Sequence, residues 1–369
     1  MRITCVITAL RTGGAERVLT IAANYWAKQG DAVTILTLDD SDTTAFPLDA
    51  RVSHRALALA AVSGNFIVGL RNNARRLRKL RSEIGRTEPD VIVSVQSRTN
   101  ILVILATLGL RVPIVVCDVS NPAYRKPSQR LWDVLRLLTY PFAFRLIAQT
   151  EAARKQYPRL IHPLLEIIPN PVQDHEPRLP SRRPKAETGT IAAMGRFTEE
   201  KGFDLLIRAF AAIEGGCPGW NLVIWGDGKL RQELESLARA HGLDDRITMP
   251  GFSREPLRDL HEADLFVLSS RSEGMPNVLC EAMSCGLPVV SFDCPNGPAE
   301  VIRPGVDGVL VPAEDWRQLA GALERLIHNP DERSRLAERA PDVADRFSLE
   351  KVMSRWQQVL DQAAEKRGV

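Results

Sequence analysis

The stretch Asp264-Leu265-Phe266-Val267-Leu268-Ser269-Ser270-Arg271-Ser272-Glu273-Gly274-Met275-Pro276-Asn277-Val278-Leu279-Cys280-Glu281 changes character twice. Its first part is a short apolar run of the length and kind that forms a buried strand. Small polar residues and Gly274 then interrupt it. Pro276 suits the first position of a helix, because it lacks the N–H that would go unpaired there, so a helix is expected to start about here. Glu273 thus falls on a loop and Glu281 on the new helix. Backbone N–H groups at a helix N-terminus attract phosphate, and carboxylates accept hydrogen bonds from hydroxyls. The pair suits a phosphorylated, polyhydroxylated ligand, the class to which nucleotide sugars belong.

The same strand-then-helix alternation extends in both directions. Apolar runs at 2–8, 32–38, 91–95, 113–117 and 145–149 alternate with amphipathic stretches, the pattern of a parallel sheet covered by helices. It restarts after the Pro/Arg-rich Pro177-Arg178-Leu179-Pro180-Ser181-Arg182-Arg183-Pro184, with runs at 190–194, 221–225, 264–268, 288–291 and 309–311. This predicts an α/β chain of two Rossmann-like, doubly wound domains. The first spans 1–169, a linker 170–188 and the second 189–345. Ser348 is placed to cap a last helix carrying Val352, Trp356 and Leu360, within a terminal segment 346–369.

Composition agrees with a globular chain of two ordinary domains: 369 residues, 44% hydrophobic and 25% charged. Six cysteines, at 5, 117, 217, 280, 285 and 294, form no Cys-x2-Cys pair, which favours neutral thiols in a reducing compartment. There is no cleavable leader pattern and no apolar stretch near the length that spans a bilayer, so a cytoplasmic protein is expected, peripheral on the inner face of the membrane. The net charge of +3 is unevenly placed. Residues 1–175 hold 23 Lys/Arg against 14 Asp/Glu, while 176–369 hold 25 against 31. The first half is expected to meet an anionic partner. Within it, apolar residues at 67, 70, 74, 77, 80 and 84 have helical spacing, so Arg71, Arg75, Arg78 and Lys79 should point outward, towards an anionic membrane or a lipid diphosphate or simply into water. No basic-aromatic pattern points to nucleic acid.

Three further segments follow strand-like runs. They are Arg11-Thr12-Gly13-Gly14-Ala15-Glu16-Arg17, Met194-Gly195-Arg196-Phe197-Thr198-Glu199-Glu200-Lys201-Gly202, and Gly226-Asp227-Gly228-Lys229-Leu230-Arg231. Paired glycines let a backbone come close to a ligand, arginine grips two phosphate oxygens in a fork, and lysine adds a compact charge. Together with Glu273-x7-Glu281, Asp293-Cys294-Pro295-Asn296-Gly297-Pro298-Ala299-Glu300 and Gly305-Val306-Asp307-Gly308, they resemble the motifs of the retaining glycosyltransferases of family 4, over essentially the whole chain and most strongly from 189 to 312.

That resemblance implies the GT-B fold, two Rossmann-like domains facing a central cleft with the C-terminal helix returning to the first. It implies a donor held chiefly by the second domain and an acceptor by the first. Carried over residue by residue, Arg196 and Lys201 hold the diphosphate, Glu281 the ribose and Glu273 a hydroxyl of the sugar. Gly14 and the amides near Met275 and Asn277 complete the phosphate cradle. Glu273, Arg196 and Lys201 are the expected catalytic residues. The resemblance is to bacterial polysaccharide and lipid-linked oligosaccharide enzymes. It implies transfer of a hexose or N-acetylhexosamine, from a UDP-sugar by preference, to a glycan acceptor carried on polyprenyl diphosphate. No cofactor and no metal are expected, and Asp40-Ser41-Asp42 reads as a solvated loop.

The acceptor side departs from the family pattern. Where many members carry a histidine or an arginine-asparagine element, this chain has Gln96-Ser97 and Cys117-Asp118-Val119-Ser120-Asn121-Pro122. Asp118 and Asn121 are the candidates for positioning the acceptor hydroxyl, with Arg75, Arg78 and Lys79 for its lipid diphosphate. The departure leaves open a catalytically silent nucleotide-sugar-binding protein. A two-carboxylate glycosidase would not need the Arg/Lys pair. A nicotinamide oxidoreductase would need Gly-x-Gly-x-x-Gly, which fails at Arg231.

Overall fold

The structure, a computed structural model, describes residues 1–11, 13–41, 43–59, 66–118, 130–172 and 188–367. The chain divides into two units, Met1–Pro171 with Glu350–Val369, and Val172–Leu349. The sequence places these exchanges at 169–189 and 345–346. Most of the expected linker, 173–187, lies outside the described residues.

The first unit runs β1 (Arg2–Ile7), α1 (Gly14–Lys28), β2 (Ala32–Thr37), β3 (Ser53–Ala56), α2 (Phe66–Arg86), β4 (Val91–Val95), α3 (Ser97–Thr107), β5 (Ile114–Cys117), α4 (Arg130–Thr139), β6 (Arg145–Ala148), α5 (Glu151–Arg154) and β7 (Leu165–Ile167). The strands form one parallel sheet in the order β3-β2-β1-β4-β5-β6-β7. The connections through α2, α3 and α4 all advance the same way across it. Right-handed crossovers therefore stack these three helices side by side on one face, and α1, whose connection runs the other way, covers the opposite face.

The second unit runs β8 (Gly189–Met194), α6 (Phe203–Ile213), β9 (Trp220–Trp225), α7 (Arg231–Ala240), β10 (Ile247–Gly251), α8 (Pro256–His261), β11 (Leu265–Leu268), α9 (Asn277–Ser284), β12 (Val289–Asp293), α10 (Pro298–Val301), β13 (Val309–Pro312), α11 (Trp316–His328), α12 (Pro330–Arg339) and α13 (Asp342–Arg346). Its parallel sheet has the order β10-β9-β8-β11-β12-β13. Each sheet reverses direction beside its first strand, at β1/β4 and at β8/β11, which opens a crevice at the carboxyl ends of those strands.

All ten expected strands form. The three that the sequence does not announce, β3, β7 and β10, are edge strands. An edge strand pairs on one side only and need not be apolar throughout: β3 is Ser-His-Arg-Ala, with alternate residues exposed. Among the described side chains of α2, Leu77 packs on the core and Leu80 and Ile84 are buried, while those of Ile67, Leu70 and Arg71 lie outside the described residues. Ala74, expected to face inward, is exposed. Among the described residues no helix is long and apolar enough to cross a membrane.

The last helix, α14 (Leu349–Arg367), starts directly after Ser348. Val352, Trp356 and Leu360 are buried on it, and Trp356 meets Trp26 of α1 edge-to-face, with ring centroids 5.8 Å apart. Arg367 near its end pairs with Asp90 at 3.2 Å. Truncating Trp356 removes a buried indole that the surroundings cannot refill. Trp356→Ala should destabilise the first unit by about 3–5 kcal/mol, read as a lower urea midpoint, whereas a midpoint near wild type would show that the helix docks without this contact.

Candidate functional site

Three close approaches of backbone build the β8/β11 crevice. Gly226 and Gly228, both at positive φ, lie beneath the turn that follows β8. A Cβ on Gly226 would sit 1.8 Å from the Gly195 carbonyl oxygen, and one on Gly228 2.6 Å from that of Phe197. The contact is a ladder continued beyond the sheet: Gly195 N–H donates to the Trp225 carbonyl at 2.9 Å, and Phe197 N–H to that of Asp227 at 2.8 Å. Phe197 is buried edge-to-face on Phe203, which leaves its neighbour Arg196 exposed. Among the described residues the Arg196 side chain has no hydrogen-bond or ion-pair partner.

Gly202 ends the 3-10 turn Glu199–Lys201 in the left-handed region, φ 61°, and stands as the N-cap of α6. Its own Cβ would lie 2.1 Å from the Ser269 carbonyl, so this turn rests directly on the end of β11. Ser269 Oγ donates to the Lys201 carbonyl at 2.9 Å, and Arg271 N–H to that of Glu200 at 2.8 Å. The Arg271 guanidinium then grips Asp204 with two bonds, 2.8 and 2.7 Å, and also reaches the Glu199 carbonyl at 2.8 Å and Glu314 at 3.0 Å. Burial acts to raise the Asp204 pKa, yet the hydrogen bonds and charge of Arg271 outweigh it and hold the carboxyl below its ordinary value.

Within this frame Lys201 Nζ meets Glu273 Oε1 at 2.6 Å, and Ser270 Oγ donates to the same oxygen at 2.6 Å. Both charged side chains retain some exposure, 21% and 10%. The helix after the loop begins one residue later than expected: Pro276 is the N-cap and α9 starts at Asn277. Asn277 and Glu281 are four apart on α9 and so share a face, with Glu281 almost buried. Met275 packs into the core beneath the loop. Gly297, φ 134°, presses on the loop from the other side, 2.2 Å from Cβ position to the Gly274 carbonyl. Burial, with Glu273 adding to it, pushes the nearby Cys294 thiol up to about 12, so it is neutral at ordinary pH.

The first unit has its own switch point. Gly13 caps α1 with Gly14 as the first helical residue, and the Glu16 side chain folds back over Gly13. Gln96, at the end of β4, adopts φ 79°, a left-handed value unusual outside glycine, and donates from Nε2 to Glu16 Oε1 at 3.0 Å. Arg75, Arg78 and Lys79 are exposed on α2, with Lys79 Nζ bound to the Leu57 carbonyl at 2.6 Å.

Asp118 has its carboxylate turned inward. It accepts from Ser97 Oγ at 2.7 Å, Tyr140 Oη at 3.1 Å and Arg136 at 3.4 Å, and its side chain has no exposure. Burial, then the Asp118 charge, pushes the Tyr140 hydroxyl well above its usual pKa, so it stays a donor. These contacts account for Asp118 as a structural anchor at the carboxyl end of β5. Asn121 and Asp42 lie outside the described residues, and Asp40 is exposed.

Sequence motifs thus bring together Arg196, Lys201, Glu273, Met275, Asn277 and Glu281 at one switch point and place Gly14 at the other. Ser270, Arg271, Glu16 and Gln96 are the site residues that motif reading passes over. Arg271 stands two residues before Glu273, but its partners Asp204 and Glu314 are distant in sequence and meet it only in the fold.

Comparison with known proteins follows the same division. Residues 12–176 match the family model described as Glycosyltransferase Family 4, and residues 177–343 that described as Glycosyl transferases group 1. A relative from Campylobacter jejuni is 28% identical over 96% of this chain and 97% of its own length. It is an α-1,4-N-acetyl-D-galactosaminyltransferase whose named substrate is a trisaccharide on undecaprenyl diphosphate. Among solved structures, sucrose-phosphate synthase of Thermosynechococcus elongatus superposes with a TM-score of 0.82 at 19% identity, covering 98% of both chains. Anabaena HepE, solved with UDP and glucose, gives 0.78 at 20% identity, covering 98% of this chain and all of its own.

Two glycines of the second unit predict opposite outcomes of one chemical change. Gly226→Ala places a methyl group against backbone at an unfavourable φ and should cost unit 2 about 1–3 kcal/mol in urea unfolding. Gly321, inside α11 with nothing within 4 Å of its Cβ position, should gain about 0.5–1 kcal/mol as alanine. Equal effects would remove the close approach at Gly226 as a constraint.

Proposed function

The chain belongs to glycosyltransferase family 4 and has its GT-B fold, and from that membership we propose that it moves a hexose or N-acetylhexosamine from a nucleotide sugar to a lipid-linked glycan, with retention and without a metal. The observation that carries this reading is the Lys201–Glu273 pair at the β8/β11 switch point, beside an exposed Arg196. Arg196 and Lys201 supply positive charge for the departing diphosphate, and α9 turns its N-terminus to the same place. Lys201 rests on Glu273. An entering diphosphate is a stronger partner for the ammonium, and its arrival releases the Glu273 carboxylate to accept from a sugar hydroxyl, with Ser270 keeping it oriented. Glu281 takes the ribose.

The bond from the anomeric carbon to the phosphate oxygen breaks, and the acceptor hydroxyl oxygen bonds to that carbon from the same face. Its proton passes to the leaving phosphate, so no carboxylate nucleophile and no metal ion are required. UDP is the favoured carrier, supported by the ligand of the HepE structure, and the named substrate of the Campylobacter relative supports an acceptor on polyprenyl diphosphate. Arg75, Arg78 and Lys79 of the basic first unit are the candidates for meeting that diphosphate. Work at the inner face of the cell membrane follows from such an acceptor.

Calorimetric titration of the purified protein with UDP, GDP, ADP, dTDP and NAD, in excess chelator, should show selective binding of one nucleoside diphosphate. Binding of NAD alone would overturn the reading, and diphosphate binding without transfer to any acceptor would make the protein a silent binder. Lys201→Ala and Glu273→Gln should each lower turnover by roughly 10²-fold or more with little change in melting temperature. Near-normal rates would remove the pair from the catalytic machinery. Reversing Arg75, Arg78 and Lys79 should raise the KM for a diphosphate-bearing acceptor and leave the donor KM unchanged. An unchanged acceptor KM would leave α2 a solvated helix.

A further inference from the structure

Helix α4 has apolar residues where a water-facing helix carries polar ones. Its inner side holds Arg136 and Thr139, with Trp132 and Leu135 packed on the core of the first unit. On the outer side Leu131 is 66% exposed, Val134 52% and Leu138 63%, and Phe142, in the turn that continues the helix, 65%. Spacings of three, four and four residues put these side chains in one row along the helix. Leu160, 81% exposed, stands on the 3-10 turn Arg159–Leu164, which packs beside the turn Tyr140–Phe142. Single exposed leucines need no explanation, but a contiguous row of this kind marks a surface that is covered in use.

Charge says what covers it. Among the described side chains of residues 131–160 there are five Lys/Arg and two Asp/Glu, Asp133 and Glu151. Both acids are paired with arginines, Asp133 with Arg136 at 3.7 Å and Glu151 with Arg154 at 3.8 Å. Lys155 and Arg159 remain exposed beside Leu160. Two helices away on the same face of the sheet, α2 adds Arg75 and Arg78. A second copy seated on this row by a two-fold axis would set the same cations against each other. A negatively charged lipid surface takes both the apolar row and its basic surround.

We propose that the outer face of α4, with Phe142 and Leu160, docks into the interfacial layer of an anionic membrane. The inference rests on the membrane part of the proposed function and names the structural element that performs it. Leu138 and Phe142 enter below the headgroups, Lys155 and Arg159 stay at headgroup level, and the sheet behind α4 stays in water.

Co-sedimentation of the full chain with phosphatidylcholine vesicles, with and without phosphatidylglycerol, tests this. The wild type should partition onto the anionic vesicles, and Leu138→Glu/Phe142→Glu should lower that partition about tenfold or more, since it puts charge where acyl chains would lie. Both positions face solvent, so an unchanged melting temperature is expected. Should that variant be unstable, Lys155→Glu/Arg159→Glu provides the second arm and should abolish the preference for phosphatidylglycerol. Vesicle binding equal to wild type in either folded variant, or none by the wild type, would overturn the proposal. So would light scattering showing a wild-type dimer that the apolar substitutions dissociate, because a second copy would then cover the row. Diphosphate binding, measured on the same variants, should not change. Its absence from the wild type as well would count against the transferase reading and leave the vesicle result to decide the docking surface.

Discussion

The second unit depends on backbone meeting backbone without side chains between. At the β8/β11 crevice the turn after β8 is held from below by Gly226 and Gly228 and rests on the end of β11 through Gly202, while Gly297 presses on the loop before α9. Cβ positions at 1.8, 2.1 and 2.2 Å from carbonyl oxygens, on Gly226, Gly202 and Gly297, leave no room for a methyl group. Each of these glycines also sits at positive φ, where an L side chain is strained. The loops are therefore pinned by main chain, and their polar side chains point out of a rigid frame. Preorganisation of this kind is what lets a site bind a developing charge without first rearranging.

Two ion pairs within that frame do different work because arginine and lysine differ. Arg271 joins Asp204, Glu314 and the Glu199 carbonyl at once, which only a planar fork of fixed donors can do, and so it locks the turn carrying Lys201. Lys201 meets Glu273 by one short contact from a flexible stem. Held by a single acceptor oxygen rather than by a fork of fixed donors, that ammonium is free to turn to a competing anion. The arginine pair belongs to the scaffold, and the lysine pair is the one a ligand can exchange.

The interior strands were legible because burial on both faces demands continuous apolar runs, as in Leu265–Leu268. Three of the four edge strands were not: β3, β7 and β10 each pair on one side, so their sequences carry polar residues and merge with the loops around them, whereas the edge strand β13 keeps the apolar run Val309-Leu310-Val311. Lys201 and Glu273 were singled out because the segments that carry them follow strands and resemble the motifs of the family. Arg271 was hidden, because its role depends on Asp204 and Glu314, which are distant in sequence and meet it only in the fold. Asp118 shows the reverse case. A carboxylate at the end of a strand reads as a ligand contact, yet here Ser97, Tyr140 and Arg136 enclose it. Residue type and position do not say which way a side chain turns.

Topology makes the two switch points equivalent, but they are built differently. In the second unit Gly202, Gly226, Gly228 and Gly297 take positive φ at the close approaches. At the corresponding place in the first unit Gln96 holds φ 79° with a full side chain, a conformation that costs on the order of 1–3 kcal/mol in a residue with a Cβ. Its N–H to the Cys117 carbonyl and its side-chain amide to Glu16 oppose that cost. Glycine there would relieve the backbone and lose the amide, so what the position keeps is the side chain. That amide ties the loop after β4 to the first turn of α1, where Gly14 begins the helix. Strain held at such a point, beside a helix N-terminus, makes Gln96 the residue of the first unit whose placement the sheet reversal most directly controls.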